Sequence, residues 1–369
     1  MLVHTASQGP CHPAGSFFVI GESRRNEPKK RGGPLGTDAN QGGTGMKRVW
    51  VAAVVLAGTM AVVGCGTGAT TQSTGNTANT VKSTNSTSAS QSVSYPLTVK
   101  DQVGHSVTIP KQPVHIASTT EGTDEILTGL VPKKDIALVT AQASQPNFSN
   151  VASLVKGIPS IGAVSAEQVI AVHPDLVLMA SYNQPGVVQQ IEQAGAPVYE
   201  FANFNSVSEI EQNIDILGKL VGEPAKAAQM VQMMQRKIDA VQKAVRGLPK
   251  PTVLDYGSYG YAAGNGTTIQ NIITDAGGVN AAAKLNGWSA ITTEEVVKLN
   301  PDVIIDTTDD AAFKQKLLSD PALQSVNAIK NHRVYILSGA DLNSVSQYIY
   351  RAVEDVARVL HPHANVPTN

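Results

Sequence analysis

Cysteine is close to absent: Cys11 and Cys65 are the only two in 369 residues. A disulfide-stapled scaffold and a cysteine-ligated zinc site are thereby excluded. No uncharged apolar run reaches the about 18 residues that a bilayer-spanning helix needs. Past residue 64 lysine and arginine nowhere cluster, which argues against a nucleic-acid partner. Also missing are a Gly-x-Ser-x-Gly elbow, a His-Glu-x-x-His pair and a Walker phosphate loop, so the common signatures of serine hydrolases, zinc proteases and P-loop nucleotide hydrolases are not met. Aromatic residues are only 5% of the chain, and tryptophan occurs twice, at 50 and 288.

What is present begins with an address. Met46-Lys47-Arg48 precedes the uncharged apolar stretch 49–63, which ends in Val62-Val63-Gly64-Cys65. A basic start, a short apolar run and small residues at the cut describe an export signal. The last four residues resemble the lipobox of bacterial lipoproteins, which implies acylation of Cys65 and removal of residues 46–64. Residues 1–45 are Gly-, Pro- and Arg-rich and do not fit a signal, so translation is expected to start at Met46. Residues 1–64 hold seven of the 28 basic and three of the 29 acidic residues, so without them the formal charge falls from −1 to −5. The stretch 65–94 is almost wholly Thr, Ser, Asn, Gln, Gly and Ala after the cysteine, the composition of a flexible tether.

The folded part says one phrase twice. Ser165-Ala166-Glu167-Gln168-Val169, running on to Pro174-Asp175-Leu176-Val177-Leu178, is echoed by Thr292-Thr293-Glu294-Glu295-Val296, running on to Pro301-Asp302-Val303-Ile304-Ile305. A hydroxyl residue before Glu, an apolar helical turn, a Pro-Asp break and a branched aliphatic run predict helix, break and buried parallel strand. The two copies stand 127 residues apart, about the length of one α/β lobe. The expected fold is therefore α/β, with two Rossmann-like lobes of parallel sheet and a ligand cleft between them. The boundaries expected are 95–205 for the first lobe, 206–247 for connecting helices, 248–362 for the second lobe and 363–369 for a tail.

Within that frame, residues 97–100 and 106–109 predict a hairpin around Gly104, and residues 114–117, 136–139, 176–179 and 197–201 predict strands. Ile210, Ile214, Leu217 and Val221 fall at helical spacing, and after Gly222-Glu223-Pro224 a second amphipathic run reaches Val245; the segment 206–247 predicts a long helical connection whose rigidity favours small hinge motions, with Met230, Met233 and Met234 as core filler. The second lobe is expected to carry a Gly/Tyr loop over 257–266, a strand at 333–337 and an amphipathic helix from about Asn343 to Leu360. The histidines beyond the signal, at 105, 115, 173, 332, 361 and 363, are scattered and suggest no metal centre.

The tether, the Val107-Thr108-Ile109-Pro110 hairpin strand, Ile116-Ala117-Ser118 leading into Thr123-Asp124-Glu125-Ile126-Leu127, the two Glu…Pro-Asp units, Ala276-Gly277-Gly278 and Asn331-His332-Arg333-Val334-Tyr335 together resemble the substrate-binding lipoproteins of ABC importers for iron-siderophores and cobalamin. The resemblance covers roughly residues 95–361. It implies that Glu167 and Glu294 dock on arginines of the membrane permease, one from each lobe; first-turn carboxylates stabilised by the helix dipole are the plainer reading of either one alone. It further implies ligand contacts from Trp288, in a loop ahead of Glu294, and from Tyr256, at the end of the second lobe's first strand. An ordinary core aromatic remains the alternative for both. Tyr182 and Asn183 follow a first-lobe strand in the same way, and Thr120, Tyr259, Tyr261 and Asp341 are added because they end or follow predicted strands.

Ile161 stands where an aromatic would match Trp288 in the first lobe, and beyond the signal only Arg236, Arg246, Arg333, Arg351 and Arg358 remain. A polyanionic catecholate would prefer several guanidinium forks. The expected ligand is thus a neutral or weakly charged metal chelate: a ferric hydroxamate siderophore first, cobalamin or haem next. The expected protein is a lipid-anchored, extracytoplasmic, monomeric binding protein that serves an ABC permease, without catalytic residues, cofactor or resident metal. A bare-metal binding protein and a chelatase-like two-lobed enzyme are the competing readings.

Overall fold

In the computed structural model the described residues are 93–307, 310 and 312–368. The leader, the signal, Cys65 and nearly all of the tether lie outside them. A hairpin comes first, β1 (Leu97–Lys100) with β2 (Ser106–Ile109), paired from Leu97 opposite Ile109 to Lys100 opposite Ser106. The first lobe then runs β3 (Ile116–Ser118), α1 (Glu121–Leu130), β4 (Ile136–Thr140), β5 (Ser160–Ile161), α2 (Ala166–Ala171), β6 (Leu176–Ala180), α3 (Pro185–Gln193) and β7 (Val198–Phe201). All five sheet strands are parallel, in the order β5-β4-β3-β6-β7. Every residue of β3, β4, β6 and β7 is buried, as expected of strands covered by helices on both faces.

The connecting segment is two helices that part at Gly222-Glu223-Pro224, α4 (Val207–Leu220) and the longer α5 (Pro224–Val245), packed on each other. Gly222 turns left-handed at φ +79, and Pro224 starts α5 because its missing N–H belongs to an unpaired first turn. The two helices come close at Gly218, where an added Cβ would stand 2.3 Å from that of Ala227. Along α5, Met234, Ile238, Val241 and Val245 are buried in one core cluster that reaches Ile126 in the first lobe and Ile272 and Leu360 in the second. A helix embedded in both lobes is a stiff connector.

The second lobe comprises β8 (Thr252–Asp255), β9 (Tyr261–Ala263), α6 (Thr268–Asp275), β10 (Val279–Asn280), β11 (Trp288–Ala290), α7 (Thr293–Leu299), β12 (Val303–Thr307), α8 (Phe313–Ser319), α9 (Asn327–Lys330), β13 (Val334–Leu337), α10 (Gly339–Leu342) and α11 (Ile349–Leu360). Its parallel sheet has the order β10-β8-β12-β13, and β9 pairs antiparallel with β11 beside it. The Gly/Tyr loop therefore contains a strand. The closing helix starts at Ile349 and not near Asn343, because Ser344 and Ser346 turn their hydroxyls onto a buried carboxyl group.

The repeated phrase folds as the same device in both lobes. Each helix ends on a left-handed residue, His173 at φ 48 and Asn300 at φ 43. The aspartate after the proline then holds the start of the neighbouring central segment: Asp175 accepts from the Val114 and His115 N–H groups at 3.0 and 2.9 Å, and Asp302 accepts from the Thr252 N–H at 2.9 Å.

Candidate functional site

Strand order reverses between β3 and β6 in one lobe and between β8 and β12 in the other, and the carboxyl ends of such strands border the crevice where ligands sit. The cleft between the lobes is the candidate site.

On the first lobe, Thr120 leaves β3 and caps α1, its hydroxyl accepting from the Thr123 N–H at 3.3 Å and lying 2.7 Å from the Thr123 Oγ1. Three acidic residues follow in the first turns of α1. Asp124 is fully buried and accepts from the Thr140 N–H at 3.0 Å and hydroxyl at 2.6 Å. Burial pushes its carboxyl up to about 7, against the pull of the Ser118 and Thr140 hydrogen bonds. Burial, reinforced by the charge of Glu125, holds the Glu121 carboxyl well above the ordinary carboxylate range. Tyr182, just past β6, sets its ring edge-on to Phe204 at 6.3 Å, and burial followed by the charge of Asp124 raises its phenol. Thr120, Asp124 and Tyr182 are thus brought together across the strand reversal. Asn183 bonds back to its own strand end, Nδ2 donating to the Ala180 carbonyl at 2.9 Å, and lines a cavity of about 460 Å³ with His105 and Glu200; neither Tyr182 nor Thr120 is in that lining.

Glu125 ties the lobes. Its Oε1 accepts from the Asn150 N–H at 2.7 Å, its Oε2 from the hydroxyls of Ser344 and Ser346, and its carbonyl from Gln347 Nε2. Asn150 in turn donates to the Ala340 carbonyl and accepts from Arg351 at 2.6 Å. Asp341, on α10, lies 4.0 Å from the same guanidinium.

On the second lobe, Tyr256 is buried and its ring tilts against Phe313 at 5.7 Å, so little of it faces outward. Trp288 is 42% exposed and Tyr259 59% exposed. Trp288 sits on β11 rather than in a loop, opposite Ala263 of β9, while Tyr261 is half-buried opposite Ala290. Asp255 ends β8 buried, and burial lifts its carboxyl to about 7.

The two carboxylates expected to meet a partner occupy equivalent places. Thr292 forms a full capping box with Glu295, which leaves the preceding Glu294 out of the cap. Glu167 takes the same position in α2 after Ser165. Both are exposed, and among the described residues neither carboxylate has a hydrogen-bond or ion-pair partner.

Sequence reasoning singled out none of Glu121, Asp124, Glu125, Asn150 or Asp255 as site residues. The available signal was three acidic residues within five, directly after a buried strand, where burial of carboxyl groups is costly enough to suggest a purpose. Among the described residues no helix is long and apolar enough to cross a membrane.

A profile of the periplasmic binding protein family matches residues 116–340. The chain is 27% identical over 334 residues to the ABC transporter substrate-binding lipoprotein YvrC of Bacillus subtilis, covering 86% of this chain and 98% of the relative. It is 25% identical over 286 residues to a cobalamin-binding protein of Halobacterium salinarum, covering 75% and 76%. Among solved structures, the periplasmic haem-binding protein RhuT of Roseiflexus superposes with a TM-score of 0.60 at 24% identity, over 67% of this chain and 98% of that one.

Proposed function

The chain belongs to the periplasmic binding protein family, and on that premise we propose that it is the extracytoplasmic solute-binding lipoprotein of an ABC importer, held to the membrane through Cys65. It captures a metal chelate in the cleft and hands it to the permease. The observation that carries the reading is the pair of exposed carboxylates, Glu167 and Glu294, unpartnered among the described residues and at matching first-turn positions of the two lobes. Two such charges, one from each lobe, suit a two-fold partner carrying basic residues. The names of the relatives, a transporter lipoprotein and a cobalamin-binding protein, agree with it.

The chelate is neutral or weakly charged, of the corrinoid or ferric hydroxamate class. Near the β3 and β6 ends stand hydroxyl groups, tyrosine and the buried carboxyl of Asp124, whereas a polyanion calls for several guanidinium forks. Exposed Trp288 supplies an aromatic surface. Trp50 falls in the segment expected to be removed, so fluorescence of the processed protein reports Trp288 alone. Titration with cobalamin, ferric hydroxamates, haem and ferric catecholates is expected to give saturable quenching by one of the first two. Truncating an aromatic wall costs roughly 1.5–3 kcal/mol of stacking and burial, so Trp288→Ala weakens that binding by about ten- to a hundredfold. Tight binding of a catecholate instead overturns the ligand class, and no response to any chelate overturns the cleft reading.

A further inference from the structure

One cluster of metal-ligating side chains lies outside the cleft. Asp101 opens the turn after β1, His105 closes it before β2, and Glu200 lies on β7; one ligand atom from each falls within 4.8 Å of the others. We propose that these three residues form a second site, for a single divalent cation of the zinc type, which staples the leading hairpin to the edge of the first-lobe sheet. The proposal is independent of the chelate reading.

Four observations carry it. The His105 Nδ1 stands 3.7 Å from both the Asp101 and the Glu200 carboxylate, close to the separation of neighbouring ligands around a tetrahedral zinc with bonds of about 2.0–2.2 Å. Asp101 is locked in orientation, because its Oδ1 accepts from the backbone N–H groups of Val103 at 3.2 Å and His105 at 2.7 Å, which fixes the carboxylate and leaves Oδ2 on the His105 side. Glu200 is 7% exposed, yet its carboxylate accepts no short hydrogen bond among the described residues; the His105 Nδ1 stands 3.7 Å from it. The turn is pinned to β7, with Gln102 donating its N–H to the Glu200 carbonyl at 3.1 Å and accepting from the Ala202 and Asn203 N–H groups.

The charge also fits. Asp101 and Glu200 are both buried, and Glu192 lines the same cavity as Glu200. Two carboxylates held together with a third nearby are relieved by a cation. An imidazole with two carboxylates makes a three-ligand set that leaves a fourth position open, and the cavity of about 460 Å³ lined by His105, Glu192, Glu200, Ser181 and Asn183 gives that position room for water or a small anion.

The test uses the full chain, freed of metal with a chelator, and Zn²⁺ and Co²⁺ as probes. Calorimetry is expected to show a Zn²⁺ site that raises Tm, and Co²⁺ is expected to show the intense visible bands of a four-coordinate ion. His105 is largely exposed, so His105→Ala keeps the fold, checked by the Tm of the metal-free protein. Even an outer partner of a metal ligand is worth about 10–100-fold in affinity, so loss of this ligand should weaken Zn²⁺ at that site by at least that factor and abolish the Co²⁺ bands. Glu200→Gln should do the same. No Zn²⁺ binding by the parent chain, or Zn²⁺ affinity and Co²⁺ bands unchanged in His105→Ala, overturns the proposal.

Discussion

Glu125, on the first helix of the first lobe, accepts a hydrogen bond at 2.8 Å from Ser344, which lies 219 residues further along the chain. Both residues are buried, and the Ser346 hydroxyl joins them on the same carboxyl oxygen. The polar link turns the two lobes and the segment before α11 into one unit. Together with the core shared through α5, it favours small adjustments of the cleft over wide opening.

Glu125→Ala is expected to destabilise the protein by about 3 kcal/mol or more, since it leaves two hydroxyls and the Asn150 N–H without their acceptor in a closed site. For a chain of this size that is a fall in Tm of about 6–12 °C. Thermal unfolding followed by circular dichroism measures it. An unchanged Tm would mean that the two lobes do not depend on this link.

The lobes, the parallel strands and the repeated Glu…Pro-Asp units were legible in the sequence because each rests on local pattern: aliphatic runs of strand length, a capping residue, a helix-breaking proline. The β9–β11 pair was not, because Tyr261 to Ala263 and Trp288 to Ala290 are short, Gly-flanked and stabilised by pairing with each other across 25 residues. The break between α4 and α5 was visible as Gly222-Glu223-Pro224, yet the back-packing of the helices depends on the close approach at Gly218. Least legible was the acidic cluster of α1. Acidic residues at a helix start ordinarily face water and the helix dipole, and only the three-dimensional placement of Asn150, Ser344 and Ser346 shows why Glu125 is buried. The cation cluster joins residues 101, 105 and 200, which no spacing rule connects.

The aspartate of the second repeat leads to an acid-side prediction. Asp302 Oδ2 accepts from both the N–H and the hydroxyl of Thr252 at 2.9 Å, and Oδ1 accepts from Asn327 at 3.2 Å. These bonds, the Thr252 N–H foremost, hold its carboxyl below the ordinary value. A lowered folded pKa means that the stabilisation is present above the unfolded value of about 3.9 and is lost as pH falls through the folded value. Asp302→Asn should therefore cost about 1 kcal/mol at pH 7, with the gap to the parent closing below about pH 4. Urea midpoints across that range check it; a gap that persists at the lowest pH contradicts the assignment.

Asp124 has the opposite sign. Its carboxyl titrates at about 7 when folded and is buried, against about 3.9 unfolded. The protonated form is favoured in the fold, so this contribution is complete below about pH 4 and is lost as pH rises through 7. Asp124→Asn keeps an acceptor for Thr140 and cannot ionise. The variant should gain on the parent as pH rises from 4 to 8, and Asp255→Asn should behave alike, because burial sets its pKa in the same way. Parallel stability curves for parent and variant would show that Asp124 stays ionised in the fold.

If the carboxylate pair docks on the permease as proposed, it should separate capture from delivery. Glu167 and Glu294 are exposed in the first turns of α2 and α7 and have no partner among the described residues, so neither supports the fold beyond the modest pull of a helix dipole. Glu167→Ala combined with Glu294→Ala should leave Tm and the chelate Kd close to those of the parent, while uptake into cells that depend on this protein disappears. Each single substitution should give a partial loss, since one lobe would still engage its half of the permease. Charge reversal to lysine at both positions should fail more completely than alanine, because like charges would then oppose each other across the interface. A change in Kd of tenfold, about 1.4 kcal/mol, would instead place these carboxylates against the ligand, and full uptake by the double variant would remove them from the docking face.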